Sequence, residues 1–414
     1  MPVKILVLTS SYPISEGTHE GGFVADLVRG LPDLRVLPVV LAPHFPGGLF
    51  KEYQNSMPTY RFPYFFPFRF ERLAYGSGLL FNIRRDFFAF AGIIPFCKAE
   101  FVWTLGIQFR EKADIIHTHW LIPQGFIGAV LHRIMGIPHV ATVHGSDLAL
   151  IRNSTLLTAI CSFIIRNSDA VTVNSSYTRQ LLVSLVPGAE RKIQIVPMGV
   201  DCQKFIIEAG SGTLNKFASN RIILSVGRLI NWKGTIYLIN AMPEVIQRFP
   251  DALLLIAGSG PEKETLIKRV HELGLDQSVK FLGVVDTAVL PSLYHSADVF
   301  VLPSINKDGK TEALGVVLLE AMASGCPVVG SNVGGIPDII TDGENGFLVL
   351  EQDSGMLTEK VVRILRDKEI QEKFRRNGLI RIHDSFSWEI VSKKFSEVYS
   401  AVLVQDGKKT SGMR

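Results

Sequence analysis

At 414 residues the chain exceeds the size at which a single hydrophobic core usually keeps growing, so two domains are expected. Hydrophobic residues make up 47% of it and charged residues 20%, a balance that excludes the disordered and fibrous classes. The net charge of +4 suits an anionic small ligand or an anionic membrane surface and makes no demand for nucleic acid.

In chain order, the short apolar run that follows Lys4 and stops at Ser10 is too short for a signal-peptide core and reads as part of a first buried strand, Lys4–Thr9. Further β-rich runs follow at Arg35–Leu41, Asp114–His119, His139–Val143, Ala170–Asn174 and Ile193–Pro197. A polar stretch, Glu208–Asn220, with Gly210, Ser211, Gly212 and Thr213, reads as an interdomain linker. A second series comprises Ile222–Val226, Ala252–Ala257, Val279–Leu282, Asp298–Leu302, Pro327–Gly330 and Gly346–Val349. Several runs are apolar on both faces, as parallel strands covered by helices must be. Helical patterns fill the gaps, among them Thr235–Phe249, Glu262–Leu273 and Ala313–Ser324.

This alternation predicts an α/β protein of two doubly wound, Rossmann-like domains, with ligands at the carboxyl ends of the strands and a cleft between two facing sheets. The expected domains are residues 1–200 and 201–385, with residues 386–414 forming a C-terminal helix that returns toward the first domain and a polar, frayed tail. Cys97, Cys161, Cys202 and Cys326 show no metal-like spacing and read as structural thiols in a reducing compartment. With no apolar stretch of the roughly 18 residues a bilayer span needs, a cytoplasmic protein is expected.

Tyr60–Phe90 stands apart, crowded with aromatics (Phe62, Tyr64, Phe65, Phe66, Phe68, Phe70, Phe81, Phe87, Phe88, Phe90) and arginines (Arg61, Arg69, Arg72, Arg84, Arg85). Two readings stand. One is a surface that lies on an anionic membrane, with aromatics at the headgroup boundary and arginines on lipid phosphates. The other is an aromatic helical core with solvated arginines.

The densest chemical signal runs from Asp308 to Gly330. Glu312 ends a glycine-containing loop, a helix is predicted to start near Leu314, Gly315 and Val316, and Glu320 is expected about two turns in. Amides at such a helix start attract phosphate, and flanking carboxylates can accept hydrogen bonds from sugar and ribose hydroxyls. In Ser225-Val-Gly-Arg228-Leu-Ile-Asn-Trp-Lys233-Gly234 a predicted strand gives way to a glycine turn; Arg228 can fork across two phosphate oxygens while Lys233 supplies a point charge. Ala257-Gly258-Ser-Gly-Pro-Glu262 is another strand-to-helix turn.

These segments resemble the family-4 glycosyltransferases of the GT-B fold, whose hallmark is two glutamates separated by seven residues, as Glu312 and Glu320 are. The resemblance continues through Ser324–Gly330, Gly334–Asp338 and Asp342–Leu348 and covers essentially the second half of the chain. It implies that Arg228 and Lys233 neutralise the departing diphosphate and that Glu312 positions the sugar. It further implies that Glu320 holds the ribose, that Leu314, Gly315 and Val316 form the phosphate-facing helix start, and that Gly258 and Val284 line the nucleotide. In the first half, the segment from Ser10 to Phe23, including Gly21 and Gly22, resembles the family's first loop. Ala141-Thr-Val-His144-Gly-Ser-Asp147 resembles the segment that bears its active-site histidine. His117 and His119, on a segment common in the family, are assigned with Asp147 to lining or supporting the acceptor side. The sequence from Leu31 to Trp103 departs from the family, as does the Ala-Leu-Gly that follows Glu312 in place of the more usual Gly-Phe-Gly.

The implied reaction is retaining transfer of a hexosyl group from a UDP- or GDP-sugar to a glycan or lipid-linked acceptor in cell-surface polysaccharide synthesis. No Asp-x-Asp triplet occurs, so neither metal nor cofactor is expected. The alternatives are a nucleotide-sugar 2-epimerase on the same scaffold and a non-catalytic nucleotide-binding subunit.

Overall fold

The structure, a computed structural model, describes residues 2–14, 22–54, 57–75, 79–205 and 220–407. Most of the predicted linker and Gly21 lie outside the described residues, as does the tail beyond 407. The chain divides into two compact units, Met1–Asn174 with Thr178–Val196 and Val391–Arg414, and Pro197–Ile390 with Ser175–Tyr177.

Among the described residues the first unit holds a sheet of β1 (Val3–Leu8), β2 (Val36–Pro43), β3 (Lys51–Gln54), β4 (Met57–Phe62), β5 (Ile115–His119), β6 (His139–Val143), β7 (Ala170–Val173) and β8 (Ile193–Ile195). Their order is β3-β4-β2-β1-β5-β6-β7-β8, parallel except for the β3–β4 pair. The second unit holds β9 (Arg221–Val226), β10 (Ala252–Ala257), β11 (Val279–Gly283), β12 (Val299–Leu302), β13 (Val328–Ser331) and β14 (Phe347–Val349), in the parallel order β11-β10-β9-β12-β13-β14. In each sheet the connection reverses direction once, between β1 and β5 and between β9 and β12. Loops diverge there and leave a crevice at the carboxyl ends of the strands.

Burial explains the apolar runs. β10 is buried at every position, and Leu254 and Leu255 pack into opposite cores on the two faces of the sheet. Each such leucine or isoleucine stabilises the fold by about 1.5–3 kcal/mol relative to exposure. Register is fixed by a repeated device. Asp114, Asp169 and Asp298 each precede a strand and accept a hydrogen bond from the first or second amide of the neighbouring strand, at Lys4, His139 and Ile222 (3.0, 2.8 and 2.7 Å). All three follow Ala or Ser, a short signal visible in the sequence.

The helix Trp388–Gln405 belongs to the first unit from Val391 onward. Its Tyr399 hydroxyl meets His117 Nδ1 at 2.9 Å and its Ser392 hydroxyl donates to the Leu27 carbonyl.

Neither reading of Tyr60–Phe90 survives whole. Its start is the end of strand β4, and Arg61 is fully buried, not solvated or lipid-facing. The Arg61 guanidinium donates to the carbonyls of Tyr12 and Pro13, to the Tyr75 hydroxyl and to Glu52, because a buried cation is tolerated only when its donors are met. Glu71, also buried, pairs with His44 at 2.5 Å and accepts from the Tyr64 amide. Beyond it, short helical pieces leave Phe66, Phe87 and Phe90 exposed beside the exposed Arg69, Arg72 and Arg85. The four cysteines are free thiols; Cys161 and Cys326 are buried and Cys97 and Cys202 half-buried.

Candidate functional site

In the second unit the crevice between β9 and β12 gathers most of the residues singled out in the sequence. β9 ends at Val226 and runs into Gly227 and Arg228, then a short 3-10 turn, Asn231–Lys233. Gly234 follows at φ +65°, where a β-carbon would collide with the Pro303 carbonyl, so only glycine lets this turn close against the loop after β12. That contact brings Lys233 to Glu312. Its ammonium lies 2.5 Å from Glu312 Oε1, and Ser304 Oγ donates to the same oxygen at 3.0 Å. Glu312 is buried, and its carbonyl accepts from the Gly335 amide. Gly334, at φ +58°, sits so close to that carbonyl that no larger residue fits.

Arg228 and Lys233 line a recess with Ser225, Gly227, Thr235 and Ala257. Arg228 is exposed, and among the described residues no carboxylate pairs with it. Gly258 follows β10 at φ +135°, against the Gly227 carbonyl. Val284 follows β11 and is 79% exposed. Leu314 is buried, Gly315 caps the helix Val316–Ala323 at φ +100°, and Val316 opens it. Its first amides have no partner within the helix and face outward with the positive end of the helix dipole.

Glu320 stands little more than one turn into this helix, not two, because the helix begins at Val316. The Tyr294 hydroxyl donates to Glu320 Oε2 at 2.8 Å, and burial raises the Glu320 carboxyl above its ordinary range. The loops after β9 and β12 and the helix that follows thus carry two cations, a carboxylate held on one of them, and a second carboxylate oriented by a phenol. That arrangement matches an anionic, hydroxyl-rich ligand.

In the first unit the crevice between β1 and β5 carries neutral rings. His119 ends β5 and His144 follows β6; the register pairs His119 with Thr142, which sets the two rings on one face. They stack at 5.3 Å between centroids with His119 Nδ1 3.1 Å from His144 Nε2. Phe23, one residue after Gly22 on the helix Gly22–Gly30, meets the His144 ring edge-on at 4.9 Å, and Trp120 lies 4.8 Å from it. Asn174 Nδ2 donates to the His144 carbonyl. Burial pulls His144 down to about 3, so it is neutral at ordinary pH.

His117 does not line a surface: it is fully buried, with Nε2 on Thr142 Oγ1 at 2.7 Å and Nδ1 on Tyr399. Asp147 accepts from the amides of Gly145, Leu148 and Leu121, tying the loops after β5 and β6 together. Among the described residues, no three His, Cys, Asp or Glu side chains converge as metal ligands would. Sequence reasoning missed Ser304, Tyr294 and Asn174, which reach their partners only through strand order; Phe23 ends the first-loop segment and Trp120 directly follows the Asp114–His119 strand, and neither was given a role.

A family model described as glycosyl transferases group 1 matches residues 208–381, and one described as glycosyltransferase family 4 matches residues 21–204. The chain is 32% identical to an uncharacterised glycosyltransferase of Methanocaldococcus jannaschii, over 76% of this chain and 82% of the other. It is 30% identical to the GDP-mannose-dependent alpha-(1-6)-phosphatidylinositol monomannoside mannosyltransferase of Mycolicibacterium smegmatis, over 69% and 76%. Its fold is similar to that of sucrose-phosphate synthase from Thermosynechococcus elongatus, with a TM-score of 0.78 at 24% identity, covering 97% of this chain and all of the other. The chain belongs to the family-4 glycosyltransferases of the GT-B fold, and it is a glycosyltransferase.

Proposed function

We propose that the chain transfers a hexosyl group, with retention of configuration and without a metal, from a UDP- or GDP-sugar to a glycan or lipid-linked acceptor. The observation that carries this reading is the grouping of Arg228, Lys233 and Glu312 at the β9–β12 crevice. Lys233 and Glu312 hold each other. A bound donor exchanges these partners: its diphosphate takes Lys233 and Arg228, and the freed Glu312 accepts from hydroxyls of the sugar. Once the donor is bound, charge that develops on the leaving diphosphate meets two cations and the amides at Gly315 and Val316 already in contact with it, which lowers the barrier electrostatically. Glu320, oriented by Tyr294, holds the ribose. His144 donates a hydrogen bond to the transferred sugar. Retention follows from front-face attack, in which the departing phosphate takes the proton of the acceptor hydroxyl. This part rests on family membership.

The test is a panel of UDP-, GDP- and ADP-sugars, read first by thermal shift, because a bound donor stabilises the native state with its saturation. One donor class is expected to raise Tm and to be hydrolysed slowly without acceptor, releasing the α-configured sugar from an α-linked donor. Epimerisation of the donor, release of the inverted sugar, or binding with no turnover on any acceptor would each overturn the reading.

A lipid-linked acceptor is favoured by the exposed Phe66, Phe87 and Phe90 beside Arg69 and Arg72, and by the phosphatidylinositol in the mannosyltransferase relative's name. Aromatic rings and guanidinium groups together suit the inner face of an anionic membrane, and among the described residues no helix is long and apolar enough to cross one. Co-sedimentation with phosphatidylglycerol vesicles is expected, weakened by Phe66→Ser with Phe87→Ser. Equal binding to neutral phosphatidylcholine vesicles would count against it.

A further inference from the structure

The proposed transfer leaves His119 without a task, although its ring stacks on that of His144. His119 is 1% exposed, and its Nε2 has no hydrogen-bond partner among the described residues. Its other nitrogen, Nδ1, lies 3.1 Å from His144 Nε2. Burial pulls both rings below their ordinary values, His144 to about 3, so each carries a single ring proton. One of the two must donate.

If His144 Nε2–H donated, His119 would accept at Nδ1 and carry its proton on Nε2, leaving a buried N–H with nothing to bond. If His119 Nδ1–H donates, the unpartnered Nε2 is only a lone pair. Orphaned buried N–H groups are the rarer and costlier of these two arrangements. The second arrangement leaves His144 with its proton on Nδ1, where no partner stands among the described residues. The ring cannot readily turn to exchange its nitrogens, because Phe23 and Trp120 pack on it and Asn174 holds its backbone.

We infer that His119 is a positioning residue: its Nδ1–H donates to His144 Nε2, fixes His144 as the Nδ1–H tautomer, and so makes that N–H the donor offered to the transferred sugar. The last clause rests on the role proposed for His144; the tautomer does not. His117, two residues earlier on the strand, cannot substitute, because Thr142 and Tyr399 already occupy its nitrogens.

The test uses the full chain labelled with [15N]histidine and long-range 1H–15N correlation spectra, which separate the two neutral tautomers by their coupling patterns. His144 is assigned by the loss of its signals in His144→Ala. The expected result is a proton on His144 Nδ1 in the wild type; a proton on Nε2 would overturn the inference outright, and the only variant this arm needs is the one that assigns the signals. A kinetic arm uses side-chain geometry. His119→Asn keeps an amide N–H near the place of Nδ1 and is expected to hold kcat within about threefold. His119→Gln places its amide near Nε2 and is expected to lower kcat about tenfold at unchanged donor KM, the scale of one lost hydrogen bond. Equal kcat for the two variants would overturn the positioning role. Normal turnover by His144→Ala would overturn the catalytic clause and the role of His144 together, an outcome separate from a wrong tautomer.

Discussion

The loops that follow β9 and β12 hold ions, whereas those that follow β5 and β6 hold neutral rings. Both sit at the reversal point of a parallel sheet, so topology alone does not set their chemistry. In the second unit Lys233 and Glu312 are held by mutual charge and by Ser304, and Arg228 stays open to solvent. In the first unit His119 and His144 are held by stacking, a single hydrogen bond and aromatic walls. An ion pair can change partners when a charged ligand arrives. A packed, neutral ring can only keep its orientation.

The sharpest way to break this contrast is to remove the ions. Lys233→Ala and Glu312→Ala are each expected to lower kcat by about 10²–10³-fold, the cost of losing one preorganised electrostatic contact, with far-ultraviolet circular dichroism unchanged. Near-normal turnover of either purified variant would remove the ionic site from the mechanism.

A second effect tests the neutrality of the first unit. Burial pulls His117 and His139 down to about 3 and His119 well below its ordinary value. The unfolded chain takes up protons at these rings near pH 6.5, while the folded chain refuses them. The stability they contribute is therefore present above about pH 6.5 and lost as pH falls toward 3. The buried acids act in the opposite sense. Burial pushes Glu100 up to about 8 and Asp147 to about 6, so their contribution is present below about pH 4 and lost as pH rises through those values. Gln124 Nε2 donates to both Glu100 oxygens. Glu100→Gln should thus gain stability relative to wild type by about 1.4 kcal/mol per pH unit between about pH 4.5 and 8. It should also show a steeper loss on acidification. Urea midpoints at pH 5, 6.5 and 8.5 measure this, and parallel profiles for the two proteins would contradict it.

Smaller effects refine the ionic side. Tyr294→Phe leaves Glu320 in place without its orienting phenol and should raise donor KM about fivefold at unchanged kcat, roughly 1 kcal/mol. An equal fall in kcat would mean that Glu320 acts in the transition state and not in binding. Last, a chelator should leave the rate unchanged if Arg228 and Lys233 supply all the positive charge; loss of rate restored by magnesium or manganese would show that they do not.

The parallel strands were legible because burial on both faces leaves continuous apolar runs such as Ala252–Ala257. The antiparallel edge β3 was not. Lys51-Glu-Tyr-Gln54 is polar and only half-buried, with no period to read. Met57–Phe62 hid itself differently, since Pro58 argues against a central strand and Arg61 looks solvent-bound until Tyr12, Pro13, Glu52 and Tyr75 surround it. The site followed the same division. Glycine spacing and glutamate spacing marked Gly234, Glu312 and Glu320 locally. The partners that orient them, Ser304 and Tyr294, and the pairing of His119 with His144, arise from strand order and leave no local trace.

The last helix carries a consequence for the order of synthesis. Val391, Phe395, Val398, Tyr399, Val402 and Leu403 are buried in the first unit, and Tyr399 completes the hydrogen bonding of His117 at its centre. The second unit is encoded between the two parts of the first, so a ribosome delivers all of it before the helix that closes the earlier core. The first-made strands must wait with an open apolar face while a whole downstream unit is translated at about 5–20 residues per second. For roughly ten seconds or more that face is a binding surface for chaperones and a liability for aggregation, and the interval ends when the final helix leaves the exit tunnel.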